Sequence, residues 1–199
     1  MALICIYLGF PFKYLSFNMR KKILLITSGI IMFFIIGYMV LPDELNVNST
    51  VTIDAPIDLV FSQVNDLKNW ENWSPWKQLD PKMKIFYGDN TIGVGGSYDW
   101  KSKNPNVDSG SLEISKSNIN QSIETKIFFR NDKSNPSPSQ WMFEEISGKT
   151  KVTWLMQSDL GANPLSKFIG IMVNGKLGTL FDAGLNKLKS HSEELSQNK

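Results

Sequence analysis

An uncharged apolar run near the N-terminus limits how this chain can fold more than any other part of it. The run occupies residues 23–41, beginning with Ile23 and ending with Leu41. At about 1.5 Å per residue, a helix of about 19 residues is just long enough to cross the hydrocarbon layer of a bilayer. The run therefore predicts a transmembrane helix. It divides the chain into a lead of residues 1–22, a membrane span and a body. We predict that the body forms one domain at residues 46–196.

Charged residues on the two sides of the run indicate how the predicted span is oriented. Three basic residues at positions 20–22 precede it, whereas Asp43 and Glu44 follow it. Because basic flanks favour the cytoplasmic side, we expect a single-pass membrane protein with a cytoplasmic N-terminus and an extracytoplasmic domain. The alternative is a cleaved signal peptide. Residues 37–42 contain no Ala-x-Ala cleavage pattern, so an uncleaved anchor is favoured.

The lead itself, residues 1–22, contains two further indications. Met19 is followed directly by the basic cluster, so we expect translation to begin there, with a short membrane-associated lead as the alternative. Cys5 is the only cysteine of the chain, and an intramolecular disulfide is therefore excluded.

Three tryptophans lie in one short polar segment of the body, residues 65–76. Trp70 and Trp73 are three positions apart and can share one face of a helix. Pro75 is expected to end that helix and to place Trp76 in a loop. Large aromatic residues at a point where a helix passes into a loop form either the cover of a core or the rim of an apolar pocket. The pattern is compatible with both interpretations.

The hydrophobic period indicates the elements around this segment. Residues 46–53 alternate as a strand does, residues 57–67 have helical spacing, and the end of the chain is helical from Asn163 onward. In that last part Asn174-Gly175 is expected to separate a short helix from a longer one, whose apolar stripe includes Leu185. Six further strands are predicted between these helical regions, at residues 84–87, 96–101, 109–116, 121–130, 140–146 and 151–157.

This order of elements predicts an α+β fold, in which a curved antiparallel sheet of about seven strands grips a long C-terminal helix. Period-two alternation also assigns one set of side chains to the inner face of the sheet. These are Tyr98, Trp100, Leu112, Ile114, Ile123, Thr125, Ile127, Phe129, Val152, Trp154 and Met156.

Several short motifs follow one another in a recognisable order: Asp54-Ala55-Pro56, the tryptophan segment, Gly93-Val94-Gly95, and Thr150-Lys151-Val152-Thr153-Trp154. In this order they resemble the SRPBCC (START-like) superfamily, and within it the membrane-anchored bacterial proteins labelled polyketide cyclase/dehydrase. The resemblance covers roughly residues 47–195. It implies a helix-grip fold with a cavity between sheet and C-terminal helix, which members use for lipids, polyketides or other hydrophobic molecules, and only sometimes for catalysis.

The body carries few groups suited to catalysis or to metal binding. His191, the only histidine, lies at the polar end of the last helix, so we expect no histidine-based catalysis, no metal and no cofactor. Arg130 is the only arginine of the body and the lysines alternate with acids, which argues against nucleic-acid binding. Glu145 shares the parity of Trp141 and Phe143 and is the single, weak acid–base candidate.

Two main classes of function are compatible with these observations. The first is a non-catalytic binder of a hydrophobic small molecule or lipid, although the same aromatic residues also suit a solid core. The second is a polyketide cyclase/dehydrase-like enzyme, which needs ionisable groups converging in the cavity. A weaker alternative is an envelope protein whose tryptophan-rich edge binds another protein. The predicted ligand-binding residues are Trp73, Trp76, Tyr98, Trp100, Phe129, Trp154 and Met156.

Overall fold

The computed structural model describes residues 17–130, 132–134, 136–161 and 163–198. Most of the predicted lead, including Cys5, lies outside the described residues. Among the described residues, the first element is helix α1, Phe17–Val40, which comprises 24 residues and is almost entirely exposed. By length and composition α1 is able to cross a membrane. A signal sequence near an N-terminus has the same two properties.

A seven-stranded antiparallel sheet forms the body, with the strand order β1-β7-β6-β5-β4-β3-β2. The strand predictions are confirmed, with ends that differ by a few residues. The largest difference at any one end is at β6, which begins at Ser137 instead of at residue 140. The strands are β1 Glu44–Ile53, β2 Lys84–Tyr87, β3 Ser97–Lys101, β4 Ser109–Asn118, β5 Ser122–Phe129, β6 Ser137–Ile146 and β7 Lys149–Asp159.

The sheet owes its tight hairpins and its bend to local sequence. Ser147 and Gly148 both have positive φ angles and join β6 to β7 in a two-residue turn, a geometry that favours glycine and matches the twist of the strands. In the pairing of β4 with β5, the register shifts between Ile114 and Lys116. Such a bulge bends the strand and helps the sheet to curve.

Two short helices and a 3-10 helix connect β1 to β2. Helix α2 is Ile57–Asn65, the 3-10 helix is Leu67–Asn72, and helix α3 is Pro75–Leu79. The prediction that Trp76 lies in a loop was wrong, because Pro75 begins a new helix. A proline is tolerated at the first helical position, where its missing N–H has no helical partner.

Helix α4, Pro164–Gln197, is continuous over 34 residues. The predicted break at Asn174-Gly175 is therefore absent. A single glycine inside a helix costs only about 1 kcal/mol relative to alanine, and the packing of the C-terminal half outweighs that cost. There Phe181, Leu185 and Leu188 are buried against the sheet.

Polar contacts fix the C-terminal end of α4 to the end of β1. The ammonium of Lys189 donates to the carbonyl oxygen of Thr52 over 2.7 Å, and the backbone N–H of Asp54 donates to a carboxylate oxygen of Glu193 over 2.8 Å. The other end of α4 lies where β1 begins and β7 ends, which we call the proximal end because α1 joins the body there. Leu160 packs there against Gly170, in space that a Cβ would occupy.

Candidate functional site

An aromatic cluster occupies the space between the sheet and the C-terminal half of α4. Trp154 lies between Trp141 and Phe181, with ring centroids 4.2 and 3.7 Å away and interplanar angles of 19° and 10°. Trp70 and Trp73 pack edge-on against Trp141 at 5.7 and 5.5 Å. Stacked rings at these separations are in van der Waals contact. These five residues, the tryptophan stack, therefore leave no room for a ligand between them.

Hydrogen bonds hold the stack in addition to packing. The indole N–H groups of Trp70 and Trp73 donate to carbonyl oxygens in the last turn of α2, over 2.9 and 3.1 Å. Trp154 donates to the Ser139 hydroxyl over 2.8 Å. The buried indole N–H of Trp141 has no partner among the described residues. Three of the four tryptophans thus have an orientation set by a hydrogen bond, which makes this part of the interior rigid.

The seven predicted ligand-binding residues fall into two groups. Trp76 is half-buried and Phe129 is 36% exposed, so these two present apolar surface to a ligand in this conformation. The inward parity of Phe129 is as predicted, but it is the last residue of β5 and is exposed at the proximal end. The other five are buried in the core: Trp73, Tyr98, Trp100, Trp154 and Met156.

Trp76, Trp100 and Phe129 meet at the proximal end, and we call them the proximal aromatic rim. The Phe129 ring packs edge-to-face on Trp76 at 6.4 Å and on Trp100 at 6.3 Å. Trp100 lies across Gly110 of β4, where a Cβ would come within 2.3 Å of the indole ring. Glycine at this position therefore allows Trp100 to lie close against the strand.

Two tyrosines, one in the core and one packed against it, have raised pKa values. Burial raises the pKa of Tyr98 above its usual range. Burial also raises the pKa of Tyr87, reinforced by the hydrogen bond that its hydroxyl donates to Glu71 over 2.7 Å and by the charge of that carboxylate. Both phenols are therefore protonated at neutral pH.

The structure gives no support to the acid–base candidate Glu145. Its side chain is exposed, because it lies one residue from the end of β6, beside the turn into β7. The parity argument was therefore wrong for this residue, although it holds for Trp141 and Phe143, which are buried. Within the described ranges, no group of three or more His, Cys, Asp or Glu residues is placed to hold a metal ion.

Lys167 is a buried charge that the sequence did not reveal. Its side chain is 2% exposed and pairs with the carboxylate of Asp43. The ammonium also donates to the carbonyl oxygens of Tyr38 and Leu41, over 3.3 and 3.5 Å, and lies 5.0 Å from the Tyr38 ring centroid. The C-terminal end of a helix favours a cation because its last carbonyl groups are unpaired. Lys167 thus joins α4 to the end of α1.

A cleft of about 360 Å³ lies on the outer face of the sheet. Alternation along β5 and β6 places most of its side chains opposite to the tryptophan stack. Most of its lining residues have polar side chains, and no residue of α4 or of the tryptophan stack lines it. It is lined by Ser115, Glu124, Thr125, Lys126, Pro138, Ser139, Gln140, Leu155 and Gln157.

Comparisons with known proteins agree with this architecture. A family model described as polyketide cyclase / dehydrase and lipid transport matches residues 44–193. The solution structure of a Staphylococcus epidermidis protein is 20% identical and covers 80% of this chain and 94% of its own, with a TM-score of 0.55. The crystal structure of a Chromobacterium violaceum protein is 13% identical and covers 75% of this chain and 97% of its own, with a TM-score of 0.54.

A third structure, of a Helicobacter pylori protein, is 13% identical and covers 74% of this chain and 87% of its own, with a TM-score of 0.56. Among curated proteins, no match was found. At these identities the solved structures show the fold alone. They confirm, together with the seven-stranded sheet and long C-terminal helix, the α+β helix-grip prediction.

Proposed function

The chain belongs to the polyketide cyclase / dehydrase and lipid transport family, within the SRPBCC superfamily, and from this we propose that it binds a hydrophobic small molecule or lipid without transforming it. The observation that carries the proposal is the proximal aromatic rim. There the partly exposed ring of Phe129 contacts the half-buried Trp76 and the buried Trp100, so apolar surface is available at the proximal end. Pockets for hydrophobic ligands are typically lined by such side chains.

The ligand is proposed to lie between this rim and the N-terminal half of α4. On that half of the helix there is open space beside two glycines, since a Cβ placed on Gly175 or Gly178 would meet no atom within 4 Å. The tryptophan stack closes the deeper interior. Of the predicted ligand-binding residues, Trp76 and Phe129 are therefore assigned direct contact. The others are proposed to form the floor of the site: Trp73, Tyr98, Trp100, Trp154 and Met156.

Native mass spectrometry of the full chain, released from detergent micelles, tests the proposal. We expect an apolar molecule to remain bound, and its occupancy to fall strongly in Phe129→Ala because one wall of the rim is lost. Phe86→Ala is the matched control, since Phe86 is also an exposed strand phenylalanine, 50% exposed, but is not in contact with the rim. Its occupancy is expected to equal that of the unmodified chain.

Two results would contradict the binding proposal. One is a chain that carries no apolar molecule, and the other is equal loss of occupancy in Phe129→Ala and Phe86→Ala.

A molecule that is recovered with the chain is then incubated with fresh protein and examined for chemical change. If it is converted, the polyketide cyclase/dehydrase-like enzyme replaces the binder as the function.

We also propose that α1 is an uncleaved membrane anchor, with the domain outside the cytoplasm. This is supported by the apolar length of α1 and by the basic residues at its start and acids after its end. In a bacterial host, protease added to intact spheroplasts is expected to digest the domain. A cytoplasmic protein of known location serves as the control for intact membranes.

Survival of the domain in intact spheroplasts, with digestion only after lysis, would reverse the proposed orientation. Release of a shortened chain lacking α1 into the medium or periplasm would instead show that α1 is a signal peptide.

A further inference from the structure

A second apolar surface lies on the N-terminal half of α4, away from the sheet. We call it the α4 stripe, and its exposed fractions are 54% for Leu165, 46% for Phe168, 43% for Ile171 and 64% for Met172. At 3.6 residues per turn these four side chains fall within an arc of about 120°. Lys167 and Gly170, which are buried, lie on a different side of the same turns. The stripe is therefore available to a partner other than the sheet.

The connection between α1 and the body limits where the stripe can lie. Helix α1 ends at Val40 and β1 begins at Glu44, so only residues 41–43 intervene. Three residues span at most about 11 Å even when fully extended. The contacts of Lys167 with the end of α1 restrict α4 further. Wherever α1 ends in a membrane, the N-terminal half of α4 lies beside that end.

We propose that the α4 stripe inserts into the headgroup and acyl boundary of the bilayer that α1 spans. The inference rests on the proposed anchoring of α1. Amphipathic helices that lie in a membrane surface bury their apolar side about 5–10 Å into this boundary and keep basic residues beside it. Lys176, which is exposed at the edge of the stripe, is placed to extend its ammonium toward lipid phosphates. A lipid surface thus satisfies both the apolar and the charged parts of this face.

A bilayer suits the stripe better than a second copy of the chain because of its position. Lys167, on the same turns of α4 as the stripe, contacts the last turn of α1, so the stripe is held at the depth of the lipid headgroups by contacts within one chain. The partly exposed rings of the proximal aromatic rim lie at the same end of the body. In this arrangement the proximal end of the body faces the membrane, and lipid of the bilayer is the nearest source of a ligand.

A fluorescent probe at Phe168 tests the placement of the stripe in the full chain. Cys5→Ser removes the native thiol, and Phe168→Cys is then labelled with the environment-sensitive dye NBD in phosphatidylcholine and phosphatidylglycerol vesicles. We expect emission at shorter wavelength than in water, and loss of intensity when the vesicles contain doxyl-labelled lipid. Asn186→Cys, exposed on the C-terminal half of the same helix, is the matched control and is expected to show neither change.

Aqueous emission from the Phe168→Cys probe in chains that resist alkaline extraction from the vesicles would overturn the inference and leave the anchor intact. Emission at shorter wavelength without doxyl quenching would also overturn it, because the stripe would then be covered by protein, such as a second copy. Chains that are removed by alkaline extraction would refute the anchor and the inference together. Ligand occupancy is measured separately, by mass spectrometry, so failure of the binding proposal is recognised independently.

Discussion

Replacing Trp154 with alanine is expected to lower the free energy of unfolding by about 3–5 kcal/mol. The side chain is fully buried, stacks on Trp141 and Phe181, and donates a hydrogen bond to Ser139. Alanine would leave a cavity and an unpaired hydroxyl acceptor in the middle of the stack. Since domains are typically stable by about 5–15 kcal/mol, much of the stability would be lost. Urea unfolding of the detergent-solubilised chain, followed by circular dichroism, measures the change.

Trp76→Ala provides the matched comparison for this prediction. Trp76 is half-buried at the proximal end, so the same substitution removes less packed surface and is expected to cost clearly less stability. Equal losses for Trp154→Ala and Trp76→Ala would contradict a solid tryptophan stack. They would favour a loosely packed interior that a ligand fills in the bound state.

Leu185→Asp is expected to destabilise the domain even more, by about 4–5 kcal/mol or more, and in a domain of ordinary stability to unfold it. Leu185 is buried in the face of α4 that packs on the sheet. The substitution both removes an apolar side chain from the core and places a carboxylate there without a partner. The melting temperature of the full chain, recorded by circular dichroism, is the measurement.

The neighbouring residue supplies the control for this second substitution. Asn186→Asp introduces the same carboxylate at an exposed position of the same helix and is expected to change stability by no more than about 0.5 kcal/mol. If Leu185→Asp melts at the temperature of the unmodified chain, α4 does not pack on the sheet as described, and the helix-grip arrangement fails.

Local patterns were sufficient to predict most of the fold. Strand alternation placed Trp154 and Met156 on the inner face correctly, because side chains of a strand point to opposite faces in strict turn. Errors arose where a long-range contact outweighs a local preference. The helix α4 continues through Gly175 since its C-terminal half is held by the sheet. Trp76 lies in α3 because Pro75 begins a new helix after the 3-10 helix has ended at Asn72.

The candidate site was harder to predict than the fold. Periodicity tells which side of a strand a residue occupies, but not whether the space beyond it is filled. The stack that fills it joins Trp141 of β6, Trp154 of β7 and Phe181 of α4 to Trp73, which lies between the 3-10 helix and α3. The burial of Lys167 was not predicted, for a similar reason. A lysine in an amphipathic helix ordinarily indicates solvent, and its partner Asp43 is near the other end of the chain.

The three-residue connection between α1 and β1 has a consequence for how cargo would travel. A carrier on a long flexible tether can sweep the space between two membranes and exchange ligands at both. Here only residues 41–43 connect α1 to β1, and Lys167 holds α4 against the end of α1. The domain can therefore move very little relative to α1. If α1 is an anchor, the domain moves only by lateral diffusion with it. Handover of a bound lipid would then require a recipient that comes to the same membrane surface.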